Sequence, residues 1–435
     1  LYKYCVALAN EGGGHLLMGI ADKPPRPVVG TAAFNNPIGM EAKLFTAIGF
    51  RVDIHEVAHA DGRVLVFDIP SRPRGTAYHF DGAYLMRSGE ELVPMSEDQL
   101  RRIFAEGRPS WLEEVTLKGV AAADVVQLLD TQAFFDLLKL PYPTEQKNVI
   151  ERLVDERLIE KSADMLSILN MGAVLLAKNL ELFPGISRKA ARVIVYKGNS
   201  KTTTRSDITN NKGYAVGFAE LVAYVMGQLP QNEVIEEAIR KDIKLVSEVI
   251  VRELVANALI HQDLTMTGVS PTVEIYSNRL EVSNPGIPIV PVERFIDGYQ
   301  SRNERLADLM RRFGICEEKS SGIDRVIETA EFLQLPAPEF LVSHQRTIVV
   351  VHGPRRFKDM DGGDRIRACY QHCVLQWVMR KQMTNQSLRK RFGLSAGSSN
   401  VVSKIVAAAK EKEMIKSDPN APDSTRYARY IPNWA

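Results

Sequence analysis

The stretch VRELVANALIHQD, residues 251–263, contains a carboxylate, a carboxamide and an imidazole at intervals of four residues: Glu253, Asn257 and His261. Side chains four residues apart lie on the same face of an α-helix, so these groups are predicted to form one stripe. A carboxylate can accept a proton from an attacking water, and a carboxamide oxygen is a suitable ligand for Mg²⁺. The pattern therefore predicts a catalytic or metal-binding face; the alternative is the ordinary polar face of an exposed helix.

Two later stretches carry backbone features that a nucleotide needs. RLEVSNPGIP, residues 279–288, ends a predicted strand in an Asn-Pro-Gly turn, and EEKSSGIDRVI, residues 317–327, places Ser-Ser-Gly at a predicted helix start. A glycine permits close approach of the backbone, and the first turn of a helix offers N–H groups to an anion. These turns follow the Glu-x3-Asn helix in order and predict binding of an adenine base and a triphosphate.

Together the three pieces resemble the ATP-binding domain of the GHKL superfamily, which includes gyrase, chaperone, histidine-kinase and mismatch-repair ATPases. The resemblance implies ATP and Mg²⁺ as cofactors, Glu253 as the general base and Asn257 as the Mg²⁺ ligand. The nucleotide contacts that it implies are Asn257, His261, Asn284, Gly286, Ser321 and Gly322.

The sequence departs from the superfamily pattern at both turns. Asn284 stands in place of the aspartate that binds the adenine amino group, and Pro288 replaces the second glycine of that turn. The glycine-rich phosphate turn is reduced to residues 320–322. The resemblance therefore implies nucleotide binding with at most a weak ATPase activity. Hydrolysis is expected rather than autophosphorylation, because the motif begins with Glu253 and not with a histidine.

Near the N-terminus, ALANEGGGHLLMGI (residues 7–20) places three glycines beside an apolar run. A phosphate-binding loop runs strand, glycines, helix. Here the pattern predicts helix, glycines, strand, which makes the glycines a left-handed helix end and a tight entry to the strand. Phosphate binding at this turn is the less favoured interpretation.

Residues 1 to about 108 resemble the Schlafen-type AlbA-like domain, a small α+β module associated with nucleic acid. The stretches that carry the resemblance are LANEGGGHLLMGI, VVGT, VFDIPSRPRGTAYHFDGAYLMRSGEE and MSEDQLRRIF. Asp81-Gly82 is predicted at a hairpin turn and Ser96 at a helix N-cap. Some relatives of this domain are RNA nucleases that use carboxylates, but the acidic residues Glu11, Asp22, Asp68 and Asp81 match no such motif.

The C-terminal segment is basic. From residue 357 onward, 14 Lys/Arg stand against 7 Asp/Glu, a net charge of +7 in a chain whose total is +2, so the preceding residues carry −5. Its pattern predicts a winged helix-turn-helix in which a recognition helix enters the DNA major groove. The residues expected to contact DNA are Arg389, Lys390, Arg391, Asn400, Lys404, Arg426 and Arg429. A winged helix used for protein contact or dimerisation is the alternative.

The expected organisation is a multidomain α+β protein. It comprises an AlbA-like α/β module (1–109), a helical, winged-helix-like module (110–185), a GHKL-type α/β sandwich (186–356) and a C-terminal winged helix (357–435). Residues 243–263 are predicted as one helix and 358–364 as a linker.

Composition excludes several classes. No apolar run approaches the roughly 18 residues that a membrane span requires. The four cysteines (Cys5, Cys316, Cys369, Cys373) are few and scattered, which favours reduced thiols over a zinc site and a cytoplasmic location. The expected function is a bacterial ATP-binding, DNA-binding transcriptional regulator, with RNA and a second copy of the chain as further candidate partners. The alternatives are an ATP-regulated nuclease acting through the AlbA-like domain, or a nucleotide-free scaffold.

Overall fold

The computed structural model describes residues 1–89, 91–106, 110–162, 165–236, 239–316, 322–422 and 428–435. It is an α+β protein with several separate sheets. The chain divides into two compact units, Leu1–Ser110 and Trp111–Ala435. In the described ranges, no helix has the length and apolar character to cross a membrane.

The first unit contains two antiparallel three-stranded sheets, ordered β1-β3-β2 and β4-β5-β6. Its core is formed by side chains of α1, α2, β2 and β3, among them Val6, Leu44, Leu65 and Phe67. The bounds along the chain are α1 (Tyr2–Asn10), β1 (Gly14–Met18), α2 (Pro37–Ile48), β2 (Asp53–His59), β3 (Gly62–Ile69), β4 (His79–Phe80), β5 (Ala83–Ser88), β6 (Glu91–Pro94) and α3 (Glu97–Ala105).

The three glycines end α1 and lead into β1, which confirms the order helix, glycines, strand. The N–H of Gly13 donates to Leu8 O at 2.8 Å and so closes the end of the helix. Gly13 has φ +85°, and a Cβ at this position would lie 2.6 Å from Ile69 O. Only glycine meets both conditions without strain, so the residues at this turn are explained by the packing of α1 against β3.

Two local predictions in this unit are confirmed. Asp81 and Gly82 have φ values of +49° and +75° between β4 and β5, as a tight hairpin turn requires. Ser96 is the N-cap of α3, and its side chain forms a capping box with Gln99.

The second unit begins with a three-stranded sheet, ordered β7-β9-β8, and four short helices. The bounds are β7 (Val115–Val120), α4 (Ala122–Leu128), α5 (Thr131–Leu137), α6 (Gln146–Asp155), β8 (Ile159–Ser162), β9 (Met165–Leu169) and α7 (Asn170–Leu176), with 3₁₀ turns at Trp111–Glu113, Leu180–Leu182 and Ser187–Lys189.

A six-stranded sheet follows, ordered β11-β10-β14-β15-β17-β16, in which only the β10–β14 pair is parallel. The helices α8, α9 and α11 pack together, and α9 packs on β15. The bounds are β10 (Ala191–Tyr196), β11 (Thr204–Asn210), α8 (Tyr214–Gln228), β12 (Gln231–Glu236), β13 (Ile239–Lys244), α9 (Glu248–His261), β14 (Thr272–Ile275), β15 (Arg279–Pro285), α10 (Glu304–Arg312), α11 (Gly322–Phe332), β16 (Glu339–Ser343) and β17 (Arg346–His352), with a 3₁₀ turn at Val292–Arg294.

The predicted helix 243–263 is shorter than expected. It begins at Glu248 with Ser247 as N-cap, whose side chain accepts from the N–H of Ile250 at 3.5 Å. The chain before it forms the antiparallel pair β12–β13, which the sequence analysis missed. The cap fixes the helix start, so the apolar residues before Ser247 could not extend it.

The remaining elements form a C-terminal module: α12 (Gly362–Val378), α13 (Asn385–Arg391), α14 (Ser399–Glu411), β18 (Ile415–Ser417) and β19 (Tyr430–Pro432), with 3₁₀ turns at Phe357–Asp359 and Ala396–Ser398. The expected linker 358–364 is mostly structured, since a 3₁₀ turn occupies its start and α12 its end. One hydrophobic core extends from Leu112 to Val351. The predicted boundary at residue 185 is therefore not a break in the packing.

Candidate functional site

Helix α9 brings its polar stripe to a cavity of about 530 Å³, which Glu253, Asn257 and His261 all line. The opposite side of α9 is apolar and buried, with Ile250 and Val251 in the core. This division fixes the rotation of the helix and directs the stripe into the cavity. The exposed-face alternative is wrong for Glu253, whose side chain is only 9% exposed.

Strands β15 and β17 form the floor of the cavity. Alternate residues of a strand point to the same face, and Val282 and Asn284 of β15 both line the cavity, as do Thr347 and Val349 of β17. The Asn284 side chain donates from Nδ2 to Pro285 O at 3.2 Å. A buried carboxamide and a hydroxyl on an otherwise apolar floor can read the edge of a planar base.

Gly286 is not among the residues that line the cavity. Its N–H donates to Gln345 O at 2.7 Å, and its carbonyl oxygen accepts from Thr347 Oγ1 at 2.9 Å. It has φ +105°, and a Cβ here would lie 2.8 Å from Asp263 Cβ. Gly286 therefore has its N–H and carbonyl groups bound within the turn that holds Asn284, and its contact with a nucleotide stays a prediction.

Helix α11 begins directly beside the polar groups of α9. A Cβ on Gly322 would lie 3.0 Å from Glu253 Oε2 and 3.5 Å from Asn257 Nδ2, so glycine allows the helix start to approach both. The structure thus brings Gly322 to the site, as predicted. The predicted phosphate contact Ser321, with Ser320, lies outside the described residues.

Arg325, one turn into α11, forms an ion pair with Glu253 at 3.4 Å between Nη1 and Oε1. Arg325 was not among the site residues predicted from the sequence. Its spacing of three residues from Gly322 on a predicted helix was the available signal, since such residues share a face.

His261 is held neutral at physiological pH. Burial, and secondarily the charge of Arg302, lower its pKa to about 4. It can therefore offer a hydrogen bond to a ligand but not a positive charge.

The segment between β15 and α10, together with α10, covers the cavity. Its lining residues are Pro288, Ile289, Val290, Phe295, Gly298, Tyr299, Gln300, Ser301, Arg302, Glu304, Ala307, Asp308 and Arg311. Arg302 and Arg311 are cations that the sequence analysis missed. Arg311 pairs with Asp308, while Arg302 donates to Ile287 O and lies 3.7 Å from Asp263.

The site fits a nucleotide-bound Mg²⁺ better than a metal held by protein alone. No group of three or more His, Cys, Asp or Glu suited to a metal occurs in the described part of the chain. Mg²⁺ beside a nucleotide takes one or two protein ligands and completes its shell with phosphate and water oxygens. The carboxamide of Asn257 on the cavity wall meets this requirement.

The C-terminal module presents some of the predicted DNA contacts. Lys390, Asn400, Lys404 and Arg429 are exposed. Arg389 is half-buried and donates to Asn385 Oδ1 at 3.1 Å and Ser395 O at 3.4 Å. The predicted contact Arg426 lies outside the described residues.

Arg391 is the exception among these basic residues. Its side chain is 2% exposed, lies 3.4 Å from Glu331 and donates to Leu335 O at 2.7 Å. Burial lowers the pKa of its guanidinium, and Glu331 opposes this effect. The expectation that Arg391 contacts DNA is wrong, because a buried side chain cannot reach a phosphate.

Two of the acidic residues considered in the first unit, Glu11 and Asp68, lie near basic side chains. Glu11 pairs with Arg87 at 2.8 Å, and Asp68 lies 3.5 Å from His15, with both of the latter side chains about half exposed or more. Asp53 of β2 lies opposite Asp68 of β3, so a second carboxylate is adjacent there, but the described residues contain no group of three or more His, Cys, Asp or Glu suited to a metal.

Comparison with known proteins agrees with both resemblances. Residues 1–96 match the family model described as "Schlafen, AlbA_2", and residues 268–351 match the model described as "Putative ATP-dependent DNA helicase recG C-terminal". No curated protein matches the chain. The crystal structure of the DIP2311 protein from Corynebacterium diphtheriae is 17% identical over 94% of this chain and 82% of that one, with a TM-score of 0.46, a similarity too low to support a conclusion.

The chain therefore contains a Schlafen AlbA_2 domain at its N-terminus and an ATPase-type domain in its second unit. The second match includes Asn284, whereas Glu253 and Asn257 precede it. AlbA-type domains are associated with nucleic acid, and ATPase-type domains bind nucleotide. The two matches point to an ATP-related function associated with nucleic acid.

Proposed function

We propose that the protein is an ATP-binding, DNA-binding transcriptional regulator in which Mg²⁺–ATP changes the affinity for DNA. The observation that carries this proposal is the cavity between α9 and the sheet. It gathers Glu253, Asn257 and Asn284 and ends at the first residue of α11.

Within this cavity each group has a role that its chemistry allows. Asn284 and Thr347 hydrogen-bond the adenine, which the apolar side chains of the floor and cover enclose. Asn257 holds Mg²⁺, and His261 donates or accepts one further hydrogen bond. The N–H groups at the start of α11 meet the phosphates. Glu253 orients or deprotonates water, and its pairing with Arg325 accords with slow turnover at most.

The C-terminal module reads DNA as a winged helix. Its helix pair α13–α14 begins with Thr384 as N-cap, turns at Gly393 with φ +63° and places Ser398 before α14. Asn400 and Lys404 on α14 are exposed and enter the major groove, while Lys390 and Arg429, which directly precedes β19, contact phosphates. Cys5, Cys369 and Cys373 are thiols buried in the structure, which suits a reducing cytoplasm.

Two connections between the cavity and the C-terminal module support regulation by nucleotide. The first is α11: Gly322 at its start lines the cavity, and Glu331 near its end contacts His372 of α12 at 2.9 Å and Arg391 of α13 at 3.4 Å. A helix is rigid over this length, so a displacement at its start reaches the module.

The second connection is the covering segment. Phe295 lines the cavity, while its neighbour Ile296 is buried in the core of the C-terminal module. Tyr370 of α12 donates to Glu293 O at 2.7 Å. The Arg294 guanidinium lies 3.9 Å from the ring centroid of Trp434. A ligand that moves this cover therefore also moves groups that pack in the module.

The first test is calorimetric titration of the full chain with ATP, with and without Mg²⁺. We expect Mg²⁺-dependent binding that is lost in Asn257→Ala and retained in Asn148→Ala, an asparagine on the exposed face of α6. Absence of ATP binding by the wild type would overturn the proposal.

The second test measures binding to duplex DNA of mixed sequence over a range of salt concentrations. Lys404→Ala should weaken binding and lower the salt slope by about 1, whereas Lys147→Ala on α6 should change neither. Saturating Mg²⁺–ATP should alter DNA affinity by about fivefold or more. Equal affinities with and without nucleotide would refute the regulatory part of the proposal.

A further inference from the structure

Helix α14 carries an apolar side chain near its start that faces solvent. Val401 is 42% exposed, whereas Val402 and Ile405 beside it are buried in the core of the C-terminal module. The module therefore packs against one side of the helix and leaves Val401 on the other. An isolated exposed valine is common on protein surfaces, so its neighbours decide whether it has a use.

The exposed neighbours of Val401 on α14 are polar. Asn400 precedes Lys404 by four residues and Val401 precedes it by three, so the three side chains form one patch on the helix surface. The patch combines a carboxamide, a small apolar group and a cation. These are the kinds of group that proteins use to contact base edges and phosphates in the major groove of DNA.

The start of α14 is held in place by α13. Asn385 Nδ2 donates to Ser399 O and to Ser403 Oγ, both at 3.1 Å, and Ser399 Oγ donates to Asn385 Oδ1 at 3.2 Å. These contacts turn the two serines toward α13 and fix the rotation of α14. Residues 395–399 read SAGSS, so only small side chains precede the patch. The helix start is therefore narrow enough to enter a groove about 12 Å wide.

The charge of the surrounding sequence suits a polyanion. Residues 365–410, from the first turn of α12 to the last turn of α14, contain no aspartate or glutamate. The two helices of the proposed helix-turn-helix thus carry no acidic side chain that would repel a phosphate. This observation favours DNA over an apolar protein surface as the occupant of the patch.

The chemistry of the patch also selects among base pairs. In the major groove the C5 methyl group belongs to thymine alone of the four standard bases, and it is the usual partner of a small apolar side chain. Adenine presents an N7 acceptor beside an N6 donor, which a carboxamide matches with two hydrogen bonds. Val401 and Asn400 are therefore suited to the two members of A·T pairs. Their place in the first turn of α14 is where a recognition helix contacts base edges.

We propose that Val401 contacts the C5 methyl group of a thymine in the major groove, in a site where Asn400 binds an adenine. This inference rests on the proposed DNA-binding function and goes beyond it, because it states which bases the helix prefers. Lys404, one turn farther along α14, adds an attraction to the backbone that does not depend on sequence.

The test begins with selection of duplexes bound by the full chain from a pool with randomised bases. The selection is made with and without Mg²⁺–ATP, so that it does not depend on the nucleotide-binding part of the proposal. Each thymine of the selected site is then replaced by uracil, which lacks only the methyl group. At one position of the site we expect this change to weaken binding by about three- to fivefold.

Val401→Ala should weaken binding to the thymine duplex by about the same factor and binding to the uracil duplex hardly at all, because both changes remove one contact. Asn400→Ala should lower the preference for adenine by about fivefold or more. Val342→Ala is the matched control, since Val342 is 45% exposed but lies on β16. It should bind both duplexes as the wild type does.

Three results would show the inference to be wrong while DNA binding stands. They are a selection that enriches no common site, equal wild-type affinity with uracil at every thymine position, and an equal loss on both duplexes in Val401→Ala. The uracil comparison leaves the protein unchanged, so a folding defect in a variant cannot imitate its result. If the wild type binds no duplex at all, the proposed DNA-binding function has failed and the inference fails with it.

Discussion

The buried contact between α11 and the C-terminal module depends on one negative charge, that of Glu331. Glu331 accepts from His372 Nδ1 at 2.9 Å and lies 3.4 Å from Arg391 Nε. The Arg391 side chain is 2% exposed, and it also donates a hydrogen bond to Leu335 O at 2.7 Å. Substitution Glu331→Gln keeps the shape of the side chain and removes the negative charge, which leaves the arginine buried without its counter-ion.

The expected cost follows from that burial. Removing one partner of a buried ion pair costs about 3–5 kcal/mol, because the remaining charge has lost its solvation and its compensation. Glutamine can still hydrogen-bond His372, so we expect a value near the lower limit, about 3 kcal/mol. Glu328→Gln, an exposed position on the same helix, is the control, with an expected change within about 0.5 kcal/mol.

Hydrogen exchange measured by mass spectrometry suits this test, since a protein of several domains does not unfold in one step. Amides of α12 and α14 should exchange through a local opening that is easier in Glu331→Gln and unchanged in Glu328→Gln. The double variant Glu331→Gln/Arg391→Met should regain most of the loss, because it leaves no buried charge. Equal exchange in Glu331→Gln and the control would refute the reasoning, and so would a double variant that is less protected than Glu331→Gln.

Two further predictions concern a half-buried carboxyl group and a glycine with a positive φ. Burial, with Asp297 and Glu328 nearby, raises the pKa of Asp324 to about 6. The folded state therefore holds this proton more tightly than the unfolded state, and the stability that this provides is lost as pH rises through 6. Asp324→Asn should stabilise the protein by about 1 kcal/mol at pH 7.5, after allowance for partial exposure, but not at pH 4. Denaturant titrations at the two pH values measure this difference. Gly13→Ala should destabilise the first unit by about 2 kcal/mol more than Gly12→Ala, because Gly12 also has a positive φ but no atom within 4 Å of its added Cβ; equal thermal unfolding temperatures for the two variants would contradict this.

Periodicity was sufficient for the elements that carry the site. The interval of four residues in Glu253, Asn257 and His261 placed these side chains on one face of α9, and the apolar residues between them fixed which face is buried. Alternation in β15 likewise carries Val282 and Asn284 to one side of the sheet. Such patterns depend on backbone geometry alone, and for that reason they can be recognised without the rest of the chain.

What the sequence did not predict depends on long-range packing. The burial of Arg391 requires that α13 pack against the end of α11, and the carbonyl that it binds, Leu335 O, lies 56 residues earlier in the chain. Gly286 was predicted as a ligand contact from the local turn sequence alone. In the structure its N–H and its carbonyl oxygen are bound by residues in and next to the distant strand β17. Local pattern names a residue type, but only the packed chain decides whether its polar groups remain accessible.

The arrangement of charges favours a nucleotide used as a regulatory ligand over one used as a source of work. The position proposed to read the adenine carries the neutral Asn284, where an aspartate would bind the amino group more strongly, and the carboxylate proposed to act on water is paired with Arg325. The first feature weakens the hold on the base, and the second makes the carboxylate less available to act on water. The connections from the cavity to the C-terminal module are, in contrast, numerous and partly buried: Glu331 to Arg391, Glu293 to Tyr370 and Arg294 to Trp434. A site whose carboxylate is held in an ion pair, and which connects directly to the C-terminal module, responds chiefly to whether the nucleotide is bound. The first quantity to compare with DNA affinity is therefore occupancy, before the rate of hydrolysis.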